Sequence, residues 1–286
     1  MIREELNFDI TQMQIIAAER IGKFTDEQKD VFETVMEAVN NETALAMFID
    51  ARGGTGKTFV LNAILAAVRC LKPEVGGCVA LATATTGIAA NLLHLGRTFH
   101  SRFKADLSPH SESMCNINAK SVLADLIRMS KVIIVDECSM QHRHHTEALD
   151  RTLRDITSKH EPFGGKIVIL SRDFRQCLPV IPGASRGTVV DAALNRSSLW
   201  SKFVVKRFTK NMRVLASGNP SLIEFDEWTL RVGDGLEENI GQTDLIEIPL
   251  EMCIKIEEKS KEKPDAEKES KKLLANQVYP NMVQIT

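Results

Sequence analysis

The chain has 286 residues, of which 43% are hydrophobic and 26% are charged, and these values exclude a disordered or a fibrous protein. A chain of this length can form one large domain or one domain with an appendage. Its net charge is −2, so the overall charge gives no attraction to nucleic-acid phosphates. Any such binding must come from a local basic groove.

The amino-terminal sequence and the cysteines indicate the cellular setting. The first ten residues, MIREELNFDI, mix acidic and apolar residues and lack the apolar core of a signal peptide. No run of about 18 apolar residues occurs, and the six cysteines are scattered without a CxxC pair. We expect reduced thiols, no secretion and no membrane-spanning segment.

The predicted elements, in chain order, alternate between helices and short apolar strands. Residues 1–22 are expected to form a lead-in helix, and residues 24–39 a second helix with Thr25 as N-cap and Gln28 in the capping-box position. Strands are predicted at residues 44–50, 78–83, 131–137 and 166–171. Because each strand is apolar throughout and helical patterns separate them, the fold expected is α/β, with a parallel sheet between flanking helices.

The carboxyl-terminal part of the chain is highly charged. Residues 255–272 hold seven lysines and six acidic residues in eighteen positions, a composition that favours a solvated linker over a core element. We therefore expect one main domain over residues 23–250, followed by a charged linker and tail over residues 251–286.

The strongest chemical signal is the segment ARGGTGKT at residues 51–58, between a predicted strand and a predicted helix. This is the context of a Walker A phosphate-binding loop, in which glycines let backbone N–H groups approach phosphate oxygens. Lys57 is expected to reach the β- and γ-phosphates, and Thr58 to offer its hydroxyl to Mg²⁺. The residues of the loop expected to bind nucleotide are Gly53, Gly54, Thr55, Gly56, Lys57 and Thr58. Ala51 stands where a glycine is usual.

A second signal is the pair Asp136 and Glu137 at the end of the predicted strand 131–137, an arrangement typical of Walker B. Asp136 is expected to hold Mg²⁺, and Glu137 to orient and deprotonate the attacking water. Together the two motifs predict nucleotide hydrolysis. ATP is the expected nucleotide, because the sequence contains no guanine-reading NKxD segment.

Seven segments in order resemble the PIF-type (petite integration frequency) helicases of superfamily 1B. They are FTDEQ (24–28), ARGGTGKT (51–58), ATATTGIAA (82–90), GRTFHSRF (96–103), DECSM (136–140), RDFRQCLPVIP (172–182) and KNMR (210–213). The greatest likeness is to the helicase portion of Helitron transposons, and it covers roughly residues 20–250. The resemblance implies an ATP-dependent DNA helicase and, for this chain, the first of two RecA-like motor domains.

The resemblance also implies roles for individual residues. Gln28 would read the adenine edge, Gln176 would sense the γ-phosphate, and Arg213 would approach that phosphate from the cleft. The catalytic residues expected are Lys57, Glu137, Gln176 and Arg213.

Single-stranded DNA is the partner that the family resemblance implies. The segments that would line its track are Thr85, Thr86 and Gly87, and Thr98, Phe99 and His100, which offer amides, hydroxyls and an aromatic ring. By the same resemblance we expect roles in DNA recombination, repair and telomere maintenance, in the nucleus or alternatively in the mitochondrion.

Two departures from the family pattern leave a second interpretation of the function open. Ser171 and Arg172 stand where the family has a Gly-Gly pair, which adds bulk at a strand end, and nothing after Arg213 resembles the later motifs of the family. From this we expect the chain alone not to unwind DNA. The rival is a truncated nucleotide- and DNA-binding remnant, and a regulatory P-loop ATPase of another superfamily is a third possibility.

Three histidines follow the second motif, at positions 142, 144 and 145, close to Cys138. A metal site needs ligands that converge from fixed spacings. This segment instead has the pattern of a loop entering an exposed helix.

Overall fold

The computed structural model describes residues 2–71, 78–173, 175–241, 243, 245–253 and 266–279. The chain divides into two compact units, Met1–Gly233 and Asp234–Thr286. None of the described helices is both long and apolar enough to cross a membrane.

The first unit contains a parallel sheet and most of the described helices. Its strands are β1 (Leu45–Ala51), β2 (Ala80–Ala84), β3 (Arg97–Thr98), β4 (Val132–Asp136), β5 (Ile167–Arg172) and β6 (Val204–Phe208). Its helices are α1 (Ile2–Glu5), α2 (Ile10–Ile21), α3 (Asp26–Asn40), α4 (Lys57–Arg69), α5 (Gly87–Asn91), α6 (Phe99–Phe103), α7 (Val122–Met129), α8 (Arg143–Thr157), α9 (Arg186–Asp191), α10 (Met212–Ser217) and α11 (Pro220–Asp234). Short 3-10 turns lie at Cys138–Met140, Pro162–Gly165, Leu194–Arg196 and Trp200–Lys202.

Within the described residues the six strands form one sheet in the order β3-β2-β4-β5-β1-β6. Every pairing in it is parallel. The carboxyl ends of all strands therefore meet at one edge, where α/β proteins of this kind bind their ligands. Ala84 pairs with Asp136 and Asp50 pairs with Arg172, so the ends of β2, β4, β5 and β1 lie side by side.

The core lies on both faces of the sheet, because side chains alternate along each strand. In β1, Met47 and Ile49 face the cluster that contains α3 and α4, whereas Phe48 faces the cluster that contains α7 and α8. Every residue of β2, β4 and β5 is buried, and so are four of the seven residues of β1. This double coverage explains why these strands are apolar throughout.

The predicted α/β fold is confirmed, and the four predicted strands match β1, β2, β4 and β5 within two residues at each end. The helix at residues 24–39 is also confirmed: Thr25 and Gln28 form a full capping box at the start of α3. The two edge strands were not predicted. β6 leaves Val204 and Val205 about half exposed and continues with a lysine and an arginine, so it lacks the apolar run of a buried strand.

The amino-terminal segment folds as two helices, α1 and α2, and not as a single lead-in helix, because Asp9 caps a new start at Ile10. Glu5 of α1 forms an ion pair with Arg102 of α6, and both side chains are only 2% exposed. Met13 and Ala17 of α2 pack against Ala66 of α4. These contacts join both helices to the sheet domain.

In the second unit the structure describes a 3-10 turn at Leu250–Met252, an antiparallel bridge between Asn239 and Ile246, and helix α12 (Ala266–Val278). The predicted linker, residues 255–272, lies partly outside the described residues. Its last seven residues lie in α12, where residues 268–272 are exposed or half-exposed, so this part is helical and the linker itself stays a prediction. Alternating lysines and glutamates can stabilise an exposed helix by side-chain pairs one turn apart.

Candidate nucleotide-binding site

The loop between β1 and α4 depends on two glycines with left-handed backbone conformations. Gly54 and Gly56 both have φ of 82°, which side chains other than hydrogen rarely adopt. A Cβ atom on Gly54 would lie 2.2 Å from Asn211 Oδ1, and one on Gly56 would lie 2.5 Å from Gln28 Nε2. The sequence GGTGKT therefore fits both the turn and the side chains that pack against it.

Lys57, the first residue of α4, lies between two carboxylates. Its Nζ is 2.6 Å from Glu137 Oε1 and 3.3 Å from Asp136 Oδ1. Burial disfavours the charged ammonium, but the two carboxylates outweigh that effect and raise the pKa of Lys57. The lysine is therefore a fixed positive charge at the start of the helix, where the N-terminal dipole adds to the attraction for anions.

Glu137 has an unusual backbone that its neighbours hold in place. Its φ is 53°, in the left-handed region, which costs energy for a residue with a side chain. Its N–H donates to Asp136 Oδ1 at 2.8 Å, and its carbonyl accepts from Thr85 Oγ1 at 2.6 Å. This turn directs the Glu137 side chain back toward Lys57.

Gln28 and Thr55 stabilise the loop by hydrogen bonds to its backbone. Gln28 accepts the N–H of Thr25 and donates from Nε2 to the carbonyl of Thr55 at 2.9 Å. Thr55 Oγ1 donates to the carbonyl of Arg52 at 2.8 Å. Both side chains are almost fully buried, so the contacts the structure gives them are within the protein. Adenine reading by Gln28 stays a prediction.

A cavity of about 310 Å³ opens beside this loop. It is lined by Arg52, Gly53, Gly54, Gly56, Lys57, Thr58, Phe59, Glu137, Gln176 and Arg213. Gln176 and Arg213, which are 37 residues apart in sequence, thus join the loop and Glu137 at one cavity. Gln176 Nε2 donates to Asp173 Oδ2 at 3.2 Å, which holds its amide at the rim near Gly53.

Oxygen donors on the wall of this cavity, together with Asp136 beside Lys57, fit a magnesium ion. Asp136 is a buried carboxylate, Thr58 offers a hydroxyl at the cavity wall, and Glu137 adds a second carboxylate beside them. Hard oxygen ligands of this kind suit Mg²⁺, which also keeps several waters and phosphate oxygens.

Ser171 and Arg172, at the end of β5, are both fully buried and do not line the cavity. Ser171 Oγ donates to Asp136 Oδ1 at 2.6 Å. Arg172 Nε donates to the carbonyl of Asp173 at 3.0 Å, and burial lowers the pKa of its guanidinium. The bulk that replaces the glycine pair is therefore packed inside the domain, and Ser171 gains a contact with Asp136.

The segments predicted to line a DNA track lie at the ends of β2 and β3. Thr85 N–H donates to the carbonyl of Asp136 at 3.1 Å, and Thr86 caps α5 by accepting from Ala89. A Cβ atom on Gly87 would have no atom within 4 Å of it, apart from its chain neighbours. Thr98 precedes α6 at the same edge.

Phe99 corrects one part of that prediction. Its side chain is 1% exposed and packs against Phe103 with a centroid distance of 5.1 Å. The ring belongs to the core, because an apolar ring in this position is more stable buried. It is not placed to stack on a base.

The histidines after Glu137 also differ from expectation. His145 is buried, and its Nε2 lies 3.1 Å from His100 Nε2. Burial and the neighbouring His100 lower the pKa of His145 to about 4, so His145 is neutral at physiological pH. The start of α8 is therefore not the exposed helix predicted, although His142 does cap it. Where the structure is described, no three His, Cys, Asp or Glu side chains converge on a metal site.

Comparison with known proteins assigns the family. The model of the family described as PIF1-like helicase matches residues 23–243, well over half of the chain. The chain belongs to the PIF1-like helicase family.

Individual PIF1-like relatives support this assignment. ATP-dependent DNA helicase Pif1 of Psychrobacter is 33% identical over 150 residues, which are 51% of this chain and 21% of that protein. ATP-dependent DNA helicase PIF4 of Trypanosoma brucei is 37% identical over 142 residues, 46% of this chain and 16% of that protein. The chain therefore spans about a fifth of the length of these relatives.

Solved Pif1 structures have the same fold. A Bacteroides Pif1 bound to single-stranded DNA superposes with a TM-score of 0.53 and 26% identity over 66% of this chain and 42% of that one. A Bacteroides Pif1 in complex with ADP-AlF3 and single-stranded DNA gives a TM-score of 0.58 and 24% identity over 75% and 47%. The first unit is a RecA-like α/β domain.

Sequence reasoning missed three features of this site. Thr85 was predicted to bind DNA, but it also donates hydrogen bonds to the backbone of the Asp136–Glu137 turn. Ser171 was treated as added bulk. Asp226 was not singled out, although it lies against Arg52 of the loop. The last two contacts join residues 35 and 174 positions apart, and no local pattern encodes them.

The contact between Ser171 and Asp136 gives a stability prediction. Ser171→Ala should lower the free energy of unfolding by about 1.5–3 kcal/mol, because it removes a buried hydrogen bond to a charged group. Urea unfolding measures this. Ser201→Ala, at an exposed serine, is the matched control and should change stability by no more than about 0.5 kcal/mol. A Ser171→Ala protein as stable as the control would show that Asp136 does not depend on this hydroxyl.

Proposed function

We propose that the first unit is the first motor domain of an ATP-dependent DNA helicase, which binds and hydrolyses Mg·ATP and couples this to single-stranded DNA. The observation that carries the proposal is the position of Lys57 Nζ between Asp136 and Glu137, at a cavity that Gln176 and Arg213 also line. These are the parts that phosphoryl transfer needs: a phosphate cradle, oxygen ligands for a metal, a base and an arginine.

Nucleotide binding requires Lys57 to exchange a carboxylate for phosphate oxygens. The triphosphate would enter along the loop, where N–H groups and the start of α4 attract anions. Lys57 would turn from Glu137 to the β- and γ-phosphates. Thr58 and Asp136 would hold Mg²⁺, which would supply positive charge to stabilise the phosphate oxygens.

Release from Lys57 leaves the Glu137 carboxylate free to act as a base. It would accept a proton from a water whose oxygen attacks the γ-phosphorus, while the bond to the bridging oxygen breaks and ADP departs. Gln176 and Arg213 lie at the cavity rim, where they would contact the γ-phosphoryl oxygens. A guanidinium there would stabilise the charge of the transition state.

In this proposal, one residue connects the DNA-binding segment to the carboxylates of the ATP site. Thr85 donates a hydrogen bond from its hydroxyl to the carbonyl of Glu137 and another from its N–H to the carbonyl of Asp136. A strand that contacts residues 85–87 would therefore displace the backbone that aims the base. The contacts proposed for DNA are the amides and hydroxyls of Thr85, Thr86, Gly87 and Thr98, and the ring of His100.

The biological setting is proposed from family membership. The relatives include helicases PIF1 of mouse and RRM3 of yeast, which supports a role in DNA recombination, repair and telomere maintenance in the nucleus, with the mitochondrion as the alternative. The likeness to the Helitron helicase portion stays a prediction.

The first test concerns Lys57. Lys57→Ala should weaken Mg·ATP binding about 10- to 100-fold, because it removes a charge-assisted contact to the phosphates. Titration with a fluorescent ATP analogue measures the affinity. Lys29→Ala, at an exposed lysine of α3, controls for charge and should leave the affinity unchanged. Equal affinities of wild-type and Lys57→Ala protein would refute the nucleotide site.

The second test separates binding from hydrolysis. Glu137→Gln should bind Mg·ATP at least as tightly as wild type, because it removes the anion that competes for Lys57. It should lower ATP turnover about 10²- to 10⁴-fold through loss of the base. Turnover is measured with and without single-stranded DNA. Turnover that survives in Glu137→Gln would assign the base to another residue.

The third test concerns DNA. Binding should favour single strands of any sequence and weaken steeply with salt, because phosphate contacts and stacking carry it. His100→Ala should weaken binding about tenfold, by the usual contribution of one stacked base, with no change in ATP affinity. His160→Ala is the control, because His160 is exposed and precedes the amino-terminal end of β5. Equal affinity for duplex and single strand across the salt series would argue against a single-strand track.

A further inference from the structure

Asp226, in the middle of α11, connects the phosphate-binding loop to the segment that carries Arg213. Its Oδ2 lies 3.0 Å from Arg52 Nη1, and its Oδ1 accepts a hydrogen bond from Asn211 Nδ2 at 2.7 Å. The side chains of Arg52 and Asp226 are 16% and 17% exposed, so the pair is partly shielded from solvent. Both carboxylate oxygens are thus used, one on each side of the connection.

Asn211 is the other half of this connection. As N-cap of α10, its Oδ1 accepts from the N–H groups of Arg213 and Val214 at 3.2 and 3.3 Å. The amide can do this only if its oxygen faces the helix, and the Asp226 carboxylate fixes that orientation because it accepts solely from the NH₂ side. Asp226 therefore selects the rotamer that caps α10.

The start of α10 also rests directly on the loop. The carbonyl of Gly54 accepts from the N–H groups of Met212 and Arg213 at 3.0 and 3.3 Å. A Cβ atom on Gly54 would lie 2.2 Å from Asn211 Oδ1, so the Asn211 side chain packs against the loop backbone and leaves no space for a side chain at position 54. Any movement of the loop at Gly54 must move the residues that precede Arg213.

We propose that Asp226 is a positioning residue that holds Arg213 in register with the phosphate-binding loop, so that the arginine follows the loop when a γ-phosphoryl group is bound. The inference rests on the proposed function of the cavity. A residue that only attached α11 to the domain would need either the ion pair with Arg52 or the hydrogen bond with Asn211, but not both. Asp226 instead bonds to the loop and to the N-cap of the arginine-bearing helix at once.

The test compares two ligands that differ at the γ position. ADP with Mg²⁺ probes the loop, and ADP with Mg²⁺ and aluminium fluoride also mimics the transferred phosphoryl group, which transition-state contacts bind more tightly. We call the affinity for ADP with aluminium fluoride divided by the affinity for ADP alone the aluminium fluoride ratio. This ratio measures the contribution of Arg213 and not that of the loop alone. It is a binding measurement, and it works for a protein with slow turnover.

Asp226→Asn keeps the shape of the side chain and removes its charge. We expect it to lower the aluminium fluoride ratio about tenfold, as loss of a charged hydrogen bond predicts, with ADP affinity changed less than about threefold. Arg213→Ala should lower the ratio at least as much. In the Arg213→Ala background, Asp226→Asn should have no further effect, because residues that act through one another are not additive. Glu227→Gln, at the exposed neighbour in α11, is the matched control and should behave as wild type.

The outcomes separate this inference from the proposed function. Wild-type protein that binds ADP, with an unchanged ratio in Asp226→Asn, would overturn the role of Asp226 alone. Additive losses in the double variant would do the same, because they place Asp226 outside the action of Arg213. Wild-type protein that binds neither ligand would overturn the proposed function and this inference with it. If Asp226→Asn melts early, Asn211→Ser, which keeps an N-cap but cannot reach Asp226, must give the same loss of ratio for the proposal to stand.

Discussion

The site depends on one electrostatic contact, the ammonium of Lys57 held between the carboxylates of Asp136 and Glu137. A lysine at this depth without partners would lose its charge, and buried carboxylates without a cation would be costly. The parallel sheet makes the contact possible, because it brings the end of β4 to the loop that follows β1. β5 lies between them in the sheet, and its Ser171 reaches Asp136 from that intermediate position.

The phosphate-binding loop is braced from two sides by parts of the chain that are distant in sequence. Gln28 of α3 packs under Gly56, and Asn211 before α10 packs against Gly54. The loop is therefore held in shape by its surroundings as well as by its own glycines. Such preorganisation favours catalysis, because the loop does not need to be ordered at each turnover.

The sequence predicted those features that depend on local pattern. The buried strands, the capping box at Thr25 and the acidic pair at the end of β4 follow from apolar runs and from spacing. The edge strand β6 was missed because its residues are half exposed and carry charge. The buried positions of Phe99 and His145 were also missed, since a motif reveals the residue type but not which side of the chain faces the core. The partners of Ser171 and Asp226 are long-range, so only the folded chain reveals them.

The buried ion pair between Glu5 and Arg102 has a practical consequence for where the domain begins. The family match starts at residue 23, and a protein expressed from that residue would keep every recognised motif. It would also leave the Arg102 guanidinium in the core without its carboxylate, at a cost of about 3–5 kcal/mol, and would expose the face of α4 that α2 covers. The structural boundary of this RecA-like domain therefore lies at least 18 residues before its sequence boundary. If a protein that begins at residue 23 precipitates, the cause is the loss of these contacts and not a defect in the nucleotide site.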